Sequence, residues 1–328
     1  MFLLAGALLI ASSFRATAPA SWLASGNPAD SLTCEEGLAL VGKLEPLGDP
    51  TPGVLRARTA VVDESRATPA SPDRARRACR VLPVEVRFPE QTRAPLPLIV
   101  MAHGLDGNPS RMGPLLDAWA DAGYFVVAPQ FPITVRDSTG RANVENNERQ
   151  AADIRFLIDE VTAQSRDPNG PLFGKVDPQH IGVAGMSLGG QTAYMLVQNT
   201  CCLDRRITAA VLLAAVHRDV PGYRWTRNLV PMFLVHGDAD RGYHNSARAY
   251  PTLAPPKWLV TLHGQGHSSP FEVPEGPAAP LVHDVTTNFW NLSLKDEPGA
   301  SAAITAAVEQ SDGAASLRRD LGRRPADR

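Results

Sequence analysis

Short apolar segments, each about as long as a buried β-strand, recur along the chain and alternate with segments of helical periodicity. The strand-like segments are Leu98–Ala102, Tyr124–Ala128, His180–Ala184, Ala209–Ala215, Pro231–His236 and Trp258–Leu262. The helical patterns cover Pro114–Ala122, Asn146–Thr162, Leu188–Gln198 and Leu281–Leu292. Because strands that are apolar throughout must be covered on both sides, the alternation predicts an α/β fold, with a mostly parallel sheet and helices on both faces.

Two segments further upstream predict a different kind of pairing. Val54–Asp63 is strand-like, and Val81–Phe88 alternates apolar with polar side chains. We expect these two strands to form an antiparallel hairpin, closed by the Arg- and Pro-rich loop 64–80. The predicted folded domain spans residues 51–294.

The first residues of the sequence indicate export. An apolar run, Phe2–Ala11, is followed by small residues that match a cleavage site, which predicts a signal peptide over residues 1–20. The run is shorter than the ~20 residues that a helix needs to cross a bilayer. No Lys or Arg precedes it, so a buried N-terminal element is the alternative.

The segments on either side of the predicted domain have less regular patterns. Residues 21–50 contain several Pro and Gly residues and little periodicity, which indicates a linker. Within it, Thr33 and Glu36 have the spacing of a capping box, so a short helix is expected there. Residues 295–328 are rich in Ala, Ser, Asp and Arg and predict a flexible C-terminal tail, in which Ser301–Gln310 has the composition of one helix.

Charge and cysteine content narrow the class of protein. The 328 residues include 32 Lys and Arg against 34 Asp and Glu, a formal charge of −2, so no broad positive field favours nucleic acid or an anionic membrane. The four cysteines allow three disulfide connectivities. We expect Cys34–Cys79 and a vicinal Cys201–Cys202 bridge, as suits an exported protein, with buried free thiols as the alternative. The sequence has no phosphate-binding glycine motif and no Cys/His cluster, so neither a nucleotide cofactor nor a metal site is expected.

A glycine-flanked serine carries the main chemical signal. The sequence Gly185-Met-Ser187-Leu-Gly189 follows an apolar strand and opens a helical segment, which is the position of a nucleophile elbow. Glycines on both sides permit the close approach that such a tight, strained turn requires. The alternative is a serine that caps a glycine-rich helix start.

A serine hydroxyl becomes a nucleophile when a base, and a group that orients the base, lie beside it. His267 follows the last apolar strand and Asp240 follows the strand before it, so both are expected at the same sheet edge as Ser187. The chain order Ser, Asp, His is the one expected in this architecture. The rival bases are His263 and His283, the rival acids are Asp238 (a turn residue) and Asp219, and His103 and His236 are expected to be structural hydrogen-bonding groups.

Together these residues resemble the α/β-hydrolase superfamily and, within it, secreted esterases similar to dienelactone hydrolase and platelet-activating-factor acetylhydrolase. The resemblance covers Val54–Leu292 and rests on the N-terminal hairpin, His103-Gly104, Gly185–Gly189, His236-Gly-x-x-Asp240 and Gly266-His267. It implies an eight-stranded, mostly parallel sheet in a catalytic domain over residues 51–294, and ester hydrolysis through an acyl-serine without cofactor or metal. The sequence departs from the family pattern at Arg241-Gly-Tyr-His244, after the acid, and at Leu105-Asp-Gly107.

The resemblance also implies how the substrate is held. The backbone N–H groups of Leu105 and Leu188 are expected to form an oxyanion hole. Val216–Val230, which separates the sixth and seventh strands of the family fold, is too short for a large cap domain, so an open cleft is expected. Tyr223 and Trp225 in this connection are candidates for the wall of an acyl or aryl pocket, with plain packing as the alternative.

The leading hypothesis is a secreted or periplasmic serine hydrolase of small or lipid-like carboxylic esters. Ser187 is the nucleophile in this hypothesis, His267 the base and Asp240 the acid that orients the base. An acyltransferase or a peptidase would use the same triad, and a binding protein on a catalytically inactive hydrolase fold is the remaining alternative. No nucleic-acid partner and no stable membrane span are expected.

Overall fold

The chain forms a ten-stranded sheet with helices on both faces. A computed structural model describes residues 32–48, 52–70, 75–92, 95–132, 134, 147–228 and 230–322. The strands are β1 (Glu45–Pro46), β2 (Val54–Asp63), β3 (Arg80–Pro89), β4 (Leu96–Ala102), β5 (Phe125–Pro129), β6 (Val176–Met186), β7 (Ile207–Leu213), β8 (Met232–Gly237), β9 (Lys257–Leu262) and β10 (Ala315–Asp320). The helices are α1 (Cys34–Leu38), α2 (Gly113–Asp121), α3 (Asn147–Arg166), α4 (Leu188–Gln198), α5 (Tyr243–Thr252), α6 (Ala279–Leu294) and α7 (Ala300–Glu309), with a 3₁₀ helix at Pro109–Met112.

The order of strands across the sheet is β1-β2-β3-β5-β4-β6-β7-β8-β9-β10. The strands from β5 to β9 in this order are parallel, whereas β1, β2, β3 and β10 pair antiparallel. β2 and β3 pair along their whole length, which confirms the predicted hairpin. The parallel arrangement brings the ends of β4, β6, β8 and β9 to one carboxyl edge, where the candidate residues were expected.

The predicted number of strands, eight, is wrong, because two edge strands add to them. β1 has two residues, and β10 has the mostly polar sequence Ala-Ser-Leu-Arg-Arg-Asp. An edge strand has one side free of a neighbouring strand, and charged residues there discourage further pairing. Neither segment therefore needs the apolar run by which the inner strands were predicted.

Each face of the sheet has its own hydrophobic core. Side chains of α3, α4 and α5 fill one face, and side chains of α2, α6 and α7 fill the other. On α3 the predicted apolar face, Ile154, Leu157, Ile158 and Val161, is buried. The sequence does not predict α5, because this segment is mostly polar and contains Pro251.

Part of the predicted linker, residues 21–50, packs against the sheet. The Thr33 hydroxyl accepts from the Glu36 N–H (3.2 Å), and the Glu36 carboxylate accepts from the Thr33 N–H (2.7 Å), which confirms the capping box and the short helix α1. Leu32 and Leu40 are buried in a small third cluster against β2 and β3. These two leucines therefore anchor the segment from residue 32 to residue 48 against the sheet.

Both expected disulfides are formed. Cys34 bonds to Cys79, which joins α1 to the residue before β3, and Cys201 bonds to its neighbour Cys202. The predicted signal peptide, residues 1–20, lies outside the described residues.

Residues 300–320 are folded onto the sheet, which differs from the flexible tail expected over 295–328. α7 confirms the predicted helix and buries Ile304 and Val308, and β10 pairs with β9 along its whole length. These two side chains are four residues apart and share one helix face, but the surrounding alanines give that face little contrast. The prediction from composition therefore missed that this helix packs on the sheet and that an edge strand, β10, follows it.

The connection between β7 and β8 has no helix and no strand among its described residues, and one isolated bridge joins Trp225 to Asn199. None of the helices that the structure describes has the length and apolar character needed to cross a membrane.

Candidate active site

Ser187 lies in the turn between β6 and α4, at the carboxyl edge of the sheet. Its backbone has φ 54° and ψ −114°, a conformation that residues other than glycine rarely adopt. The Ser187 N–H donates to Leu213 O on β7 (2.9 Å), and Ser187 O accepts from the Val216 N–H (3.0 Å). Hydrogen bonds to the neighbouring strand and its continuation hold the turn, which is how a strained conformation of this kind persists.

Close backbone contacts require the two glycines that flank Ser187. A Cβ on Gly185 would lie 2.1 Å from the carbonyl oxygen of Gly189. A Cβ on Gly189 would lie 2.1 Å from the carbonyl oxygen of Ala102, at the end of β4. No side chain fits at these distances, so the glycines allow α4 to begin directly against the ends of β4 and β6.

The loop after β4 also lies against Ser187. A Cβ on Gly104 would be 3.2 Å from the Cβ of Ser187, so this loop passes directly beside the candidate nucleophile. Leu105 is the next residue of the loop, and Leu188 is the first residue of α4, where an N–H has no acceptor within the helix. The two candidate oxyanion donors therefore belong to the two segments that flank Ser187.

His103 holds the shape of this loop. Its Nε2 accepts from the Phe131 N–H (3.0 Å), so Nδ1 carries the proton and donates to Gly104 O (2.7 Å). Burial of the ring lowers the pKa of His103 to about 4, which keeps it neutral at pH 7. His103 is thus a structural hydrogen-bonding group, as expected.

Asp240 and His267 lie together above the ends of β8 and β9. Nδ1 of His267 donates to Oδ2 of Asp240 at 2.5 Å. The Asp240 side chain is 8% exposed and the His267 side chain is 40% exposed, so a buried carboxylate supports an imidazole that reaches solvent. With Nδ1 engaged, Nε2 is the nitrogen of His267 that remains to accept a proton.

A glycine also permits the approach of these two loops. A Cβ on Gly237 would lie 2.2 Å from the carbonyl oxygen of Gln265, so the loop that carries His267 crosses directly over the end of β8. The Ala239 N–H donates to the same Gln265 oxygen (3.1 Å). The turn that carries Asp240 and the loop that carries His267 therefore form one hydrogen-bonded unit.

A second histidine, His236, contacts the same carboxylate. Its Nε2 donates to Oδ2 of Asp240 (2.8 Å), and its Nδ1 accepts from the Ser246 hydroxyl (2.7 Å). The Gly242 N–H donates to the other oxygen, Oδ1 (2.8 Å). A hydrogen-bonding role for His236 was expected, but Asp240 was not identified as its partner. The sequence signal for this contact is that His236 and Asp240 are four residues apart, on either side of a strand end and a tight turn.

These contacts set the charges of the group. Burial alone would raise the pKa of Asp240, but the hydrogen bonds from Gly242, His267 and His236 outweigh it and hold that pKa below its ordinary value. Burial lowers the pKa of His236, because the cost of desolvating its charged form exceeds the attraction of Asp240. At neutral pH a neutral His236 therefore donates to an ionised Asp240.

Among the residues that the structure describes, these same three side chains form a group whose composition could hold a metal ion. One ligand atom each from His236, Asp240 and His267 lies within 4.8 Å of the others, and imidazole and carboxylate groups bind metal ions. Ligand atoms ~2.0–2.2 Å from a tetrahedral ion would be about 3.3–3.6 Å apart. The separations from Oδ2 of Asp240 are 2.5 and 2.8 Å, which fit a proton between each pair of atoms and not an ion.

The rival candidates have other partners or positions. His263 contacts Asp238 (2.7 Å), and His283 contacts Glu275 (2.9 Å). Asp219 is exposed on the connection between β7 and β8. The structure therefore pairs His267 with Asp240 and places each rival in a different contact or in solvent.

The two candidate pocket residues lie in different surroundings. Tyr223 is 43% exposed. Trp225 stacks on His217, with ring centroids 4.4 Å apart, and contacts Tyr194 edge-on. Trp225 also borders a surface cavity of about 470 Å³ that Gln198 and His217 line as well. Trp225 thus packs against the core and forms part of a cavity wall, whereas Tyr223 faces solvent.

Comparison with known proteins identifies the fold. No protein-family model matches the chain, and no curated protein matches its sequence. The structure of a ferulic acid esterase from Streptomyces cinnamoneus is similar to it, with a TM-score of 0.58 and 20% sequence identity over 77% of this chain and 94% of that one. The similarity to dienelactone hydrolase stays a prediction. The mixed sheet, the helices on its two faces and this structural similarity together fit an α/β-hydrolase-type fold.

Proposed function

We propose that this protein is a serine-type hydrolase of carboxylic esters. The observation that carries the proposal is the 2.5 Å hydrogen bond between the buried Asp240 carboxylate and Nδ1 of His267. The strained turn at Ser187 and the Gly104 loop beside it support the proposal. A serine in such a turn, together with an imidazole oriented by a carboxylate, provides the parts of a nucleophilic triad.

In the proposed reaction, Nε2 of His267 takes the proton of the Ser187 hydroxyl while Oγ attacks the ester carbonyl carbon. The N–H groups of Leu105 and Leu188 donate to the carbonyl oxygen as it gains negative charge, and loss of one such donor typically costs ~2.7–4 kcal/mol. The imidazolium then protonates the leaving alkoxide, and an acyl-serine remains. His267 next deprotonates a water molecule, which attacks the acyl-serine; as the bond from the acyl carbon to Ser187 Oγ breaks, the imidazolium returns the proton to Oγ and the carboxylic acid is released.

Asp240 acts in this proposal by holding His267 in the required tautomer. Its lowered pKa keeps it ionised at neutral pH, so it accepts the Nδ1 proton and stabilises the imidazolium that forms. Its low exposure strengthens that interaction, because the effective dielectric constant is lower than in water.

For the substrate, we propose a small or lipid-like carboxylic ester, with aryl esters included. The structural neighbour is named as a ferulic acid esterase, and Trp225 and His217 border a surface cavity of about 470 Å³. An ester of ferulic acid therefore belongs in the test panel beside short-chain p-nitrophenyl esters. We also propose that the protein works outside the cytoplasm, where disulfides such as Cys34–Cys79 persist.

Labelling and turnover of a serine variant test the proposal. A fluorophosphonate probe is expected to label the native protein but not Ser187→Ala, and that variant is expected to lose about 10⁴- to 10⁶-fold in ester turnover. Ser316→Ala, on the edge strand β10, is the control and is expected to keep both properties. Unchanged turnover in Ser187→Ala would refute the triad. Product formed only with an added alcohol would indicate an acyltransferase, and absence of labelling would indicate a binding protein.

A further inference from the structure

The acid of the candidate triad is held by a fourth side chain, His236. We propose that His236 is a positioning residue, which fixes the Asp240 carboxylate so that Asp240 can orient His267. This inference rests on the proposed function and adds to it a specific residue that acts through Asp240. His236 does not contact the nucleophile itself in this proposal.

Three donors fix the plane of the Asp240 carboxylate. Oδ2 accepts from His236 (2.8 Å) and from His267 (2.5 Å), and Oδ1 accepts from the Gly242 N–H (2.8 Å). A carboxylate with both oxygens engaged cannot rotate without breaking a hydrogen bond. Because the imidazole must be held within about 0.5 Å of its productive position, this restraint bears directly on catalysis.

His236 is suited to this task because it belongs to the rigid sheet. It is a residue of β8 with no exposed surface, and it pairs with Thr261 of β9 in the parallel ladder. The Ser246 hydroxyl on α5 donates to its Nδ1, and the Tyr243 ring packs edge-on against it with centroids 5.7 Å apart. His267, by contrast, lies on a loop and is partly exposed. Asp240 therefore links His267, on its loop, to His236 in the rigid sheet.

The hydrogen bond from His236 also lowers the basicity of the Asp240 carboxylate. Donation from the His236 N–H stabilises the carboxylate, and the neutral ring adds no positive charge beside His267. Removal of this donor would leave the negative charge on Oδ2 shared with His267 alone. The carboxylate would then hold a protonated His267 more strongly, and the acid limb of kcat/KM would move to higher pH.

Two variants of His236 test the proposal. His236→Phe keeps a ring but has no donor, and we expect kcat/KM to fall about 10- to 100-fold, mainly through kcat, with the acid limb displaced upward. His236→Gln retains an amide N–H able to reach Asp240, and we expect it to restore most of the rate and the native acid limb. His180→Phe is the matched control, because His180 also contacts a carboxylate, Asp177, but near the amino end of β6. This control is expected to leave kcat/KM unchanged.

Two kinetic results would overturn the positioning role. One is a native rate and an unchanged acid limb in His236→Phe. The other is a loss of kcat/KM in His236→Phe that is equal at every pH and is not recovered in His236→Gln. Nitrogen NMR of the histidines in Ser187→Ala adds a readout that needs neither turnover nor a folded His236 variant. We expect His236 to be the neutral Nε2–H tautomer at the pH of its ordinary pKa, 6.5, and at every higher pH. An Nδ1–H ring, or a ring that is half-protonated at or above that pH, would overturn the proposal.

The failure of the proposed function would look different. A protein that hydrolyses no ester and is not labelled at Ser187 would overturn the hydrolase proposal, even if the NMR tautomer of His236 is the expected one. Labelling at Ser187 with unaffected His236 variants would overturn the positioning role alone.

Discussion

The antiparallel hairpin and the carboxyl edge of the parallel strands use carboxylates in different ways. In the hairpin, Arg80 of β3 pairs with Asp153 of α3, and both side chains are buried. At the carboxyl edge, Asp240 pairs with two imidazoles, those of His236 and His267. A guanidinium stays charged at all accessible pH, whereas an imidazole gains and loses a proton near neutrality. The first region holds a helix against a strand through an ion pair, and in the proposed mechanism the second region holds a proton that can move.

The backbone differs between the two regions in the same sense. β2 and β3 pair over ten residues without a shift of register. The carboxyl edge has Ser187 at φ 54° and depends on glycines at positions where a Cβ would lie within 2.2 Å of a backbone atom. Stability and catalysis should therefore respond to different substitutions.

Replacement of the candidate acid is expected to have the largest effect. In Asp240→Asn, the amide N–H would face His267 and favour the wrong tautomer, so kcat/KM should fall by about 10⁴-fold while the protein stays folded. Steady-state turnover of a p-nitrophenyl ester, with circular dichroism to monitor folding, measures this. The matched control is Asp177→Asn, which alters the partly exposed His180–Asp177 pair and should change neither. Activity within tenfold of native in Asp240→Asn would show that this carboxylate does not orient the base.

Replacement of Asp153, the acid of α3 that pairs with the hairpin, should act on stability instead. Asp153→Ala leaves the Arg80 guanidinium buried without its partner, which typically costs about 3–5 kcal/mol of unfolding free energy. The activity of each folded molecule should be unchanged, because Asp153 contacts Arg80 and Arg66 and not the candidate site.

Urea unfolding and active-site titration of the same sample separate these two quantities. Asp159→Ala is the control on the same helix, since Asp159 is 62% exposed and pairs with Arg206 at the surface. Exposed pairs of this kind contribute ~0–1 kcal/mol. Equal losses in the two variants would mean that the buried pair has no special weight.

The inner strands of the sheet could be predicted from the sequence because burial on both faces demands apolar residues. Val54–Asp63 and Leu188–Gln198 have the predicted bounds. β10 could not be predicted in this way, because an edge strand tolerates Arg and Asp, and α5 could not, because its exposed face is polar. The pattern of apolar residues therefore predicts the elements that are buried, and it does not predict elements that bury few side chains.

The candidate site could be predicted in part for a related reason. Chain order and strand ends indicated that Asp240 and His267 share an edge, because parallel strands place their carboxyl ends together. The contact from His236 could not be predicted, since it depends on the path of a tight turn and on the rotamer of a buried ring. Trp225 also shows this limit, because spacing does not determine whether an aromatic ring packs or lines a cavity.

The smallest expected effect is a loss of unfolding free energy at acid pH, caused by buried histidines at the carboxyl edge. The pKa of His103 is lowered by burial from its ordinary 6.5 to about 4, so between these values the unfolded chain binds a proton that the native protein does not. Stability therefore falls as the pH decreases through this window, by on the order of 3 kcal/mol for His103 alone. Burial lowers the pKa of His236 and His217 as well, which adds loss of the same sign.

The measurement is the unfolding free energy of native protein and of His103→Gln at about pH 7.5 and about pH 4.5. We expect the variant to be less stable at the higher pH, because Gln does not reproduce both ring contacts that hold the Gly104 loop. The gap between the two proteins should narrow at the lower pH, since Gln has no proton to gain. Parallel pH profiles would show that His103 titrates alike in the folded and unfolded chains, and that burial at the carboxyl edge does not set its charge.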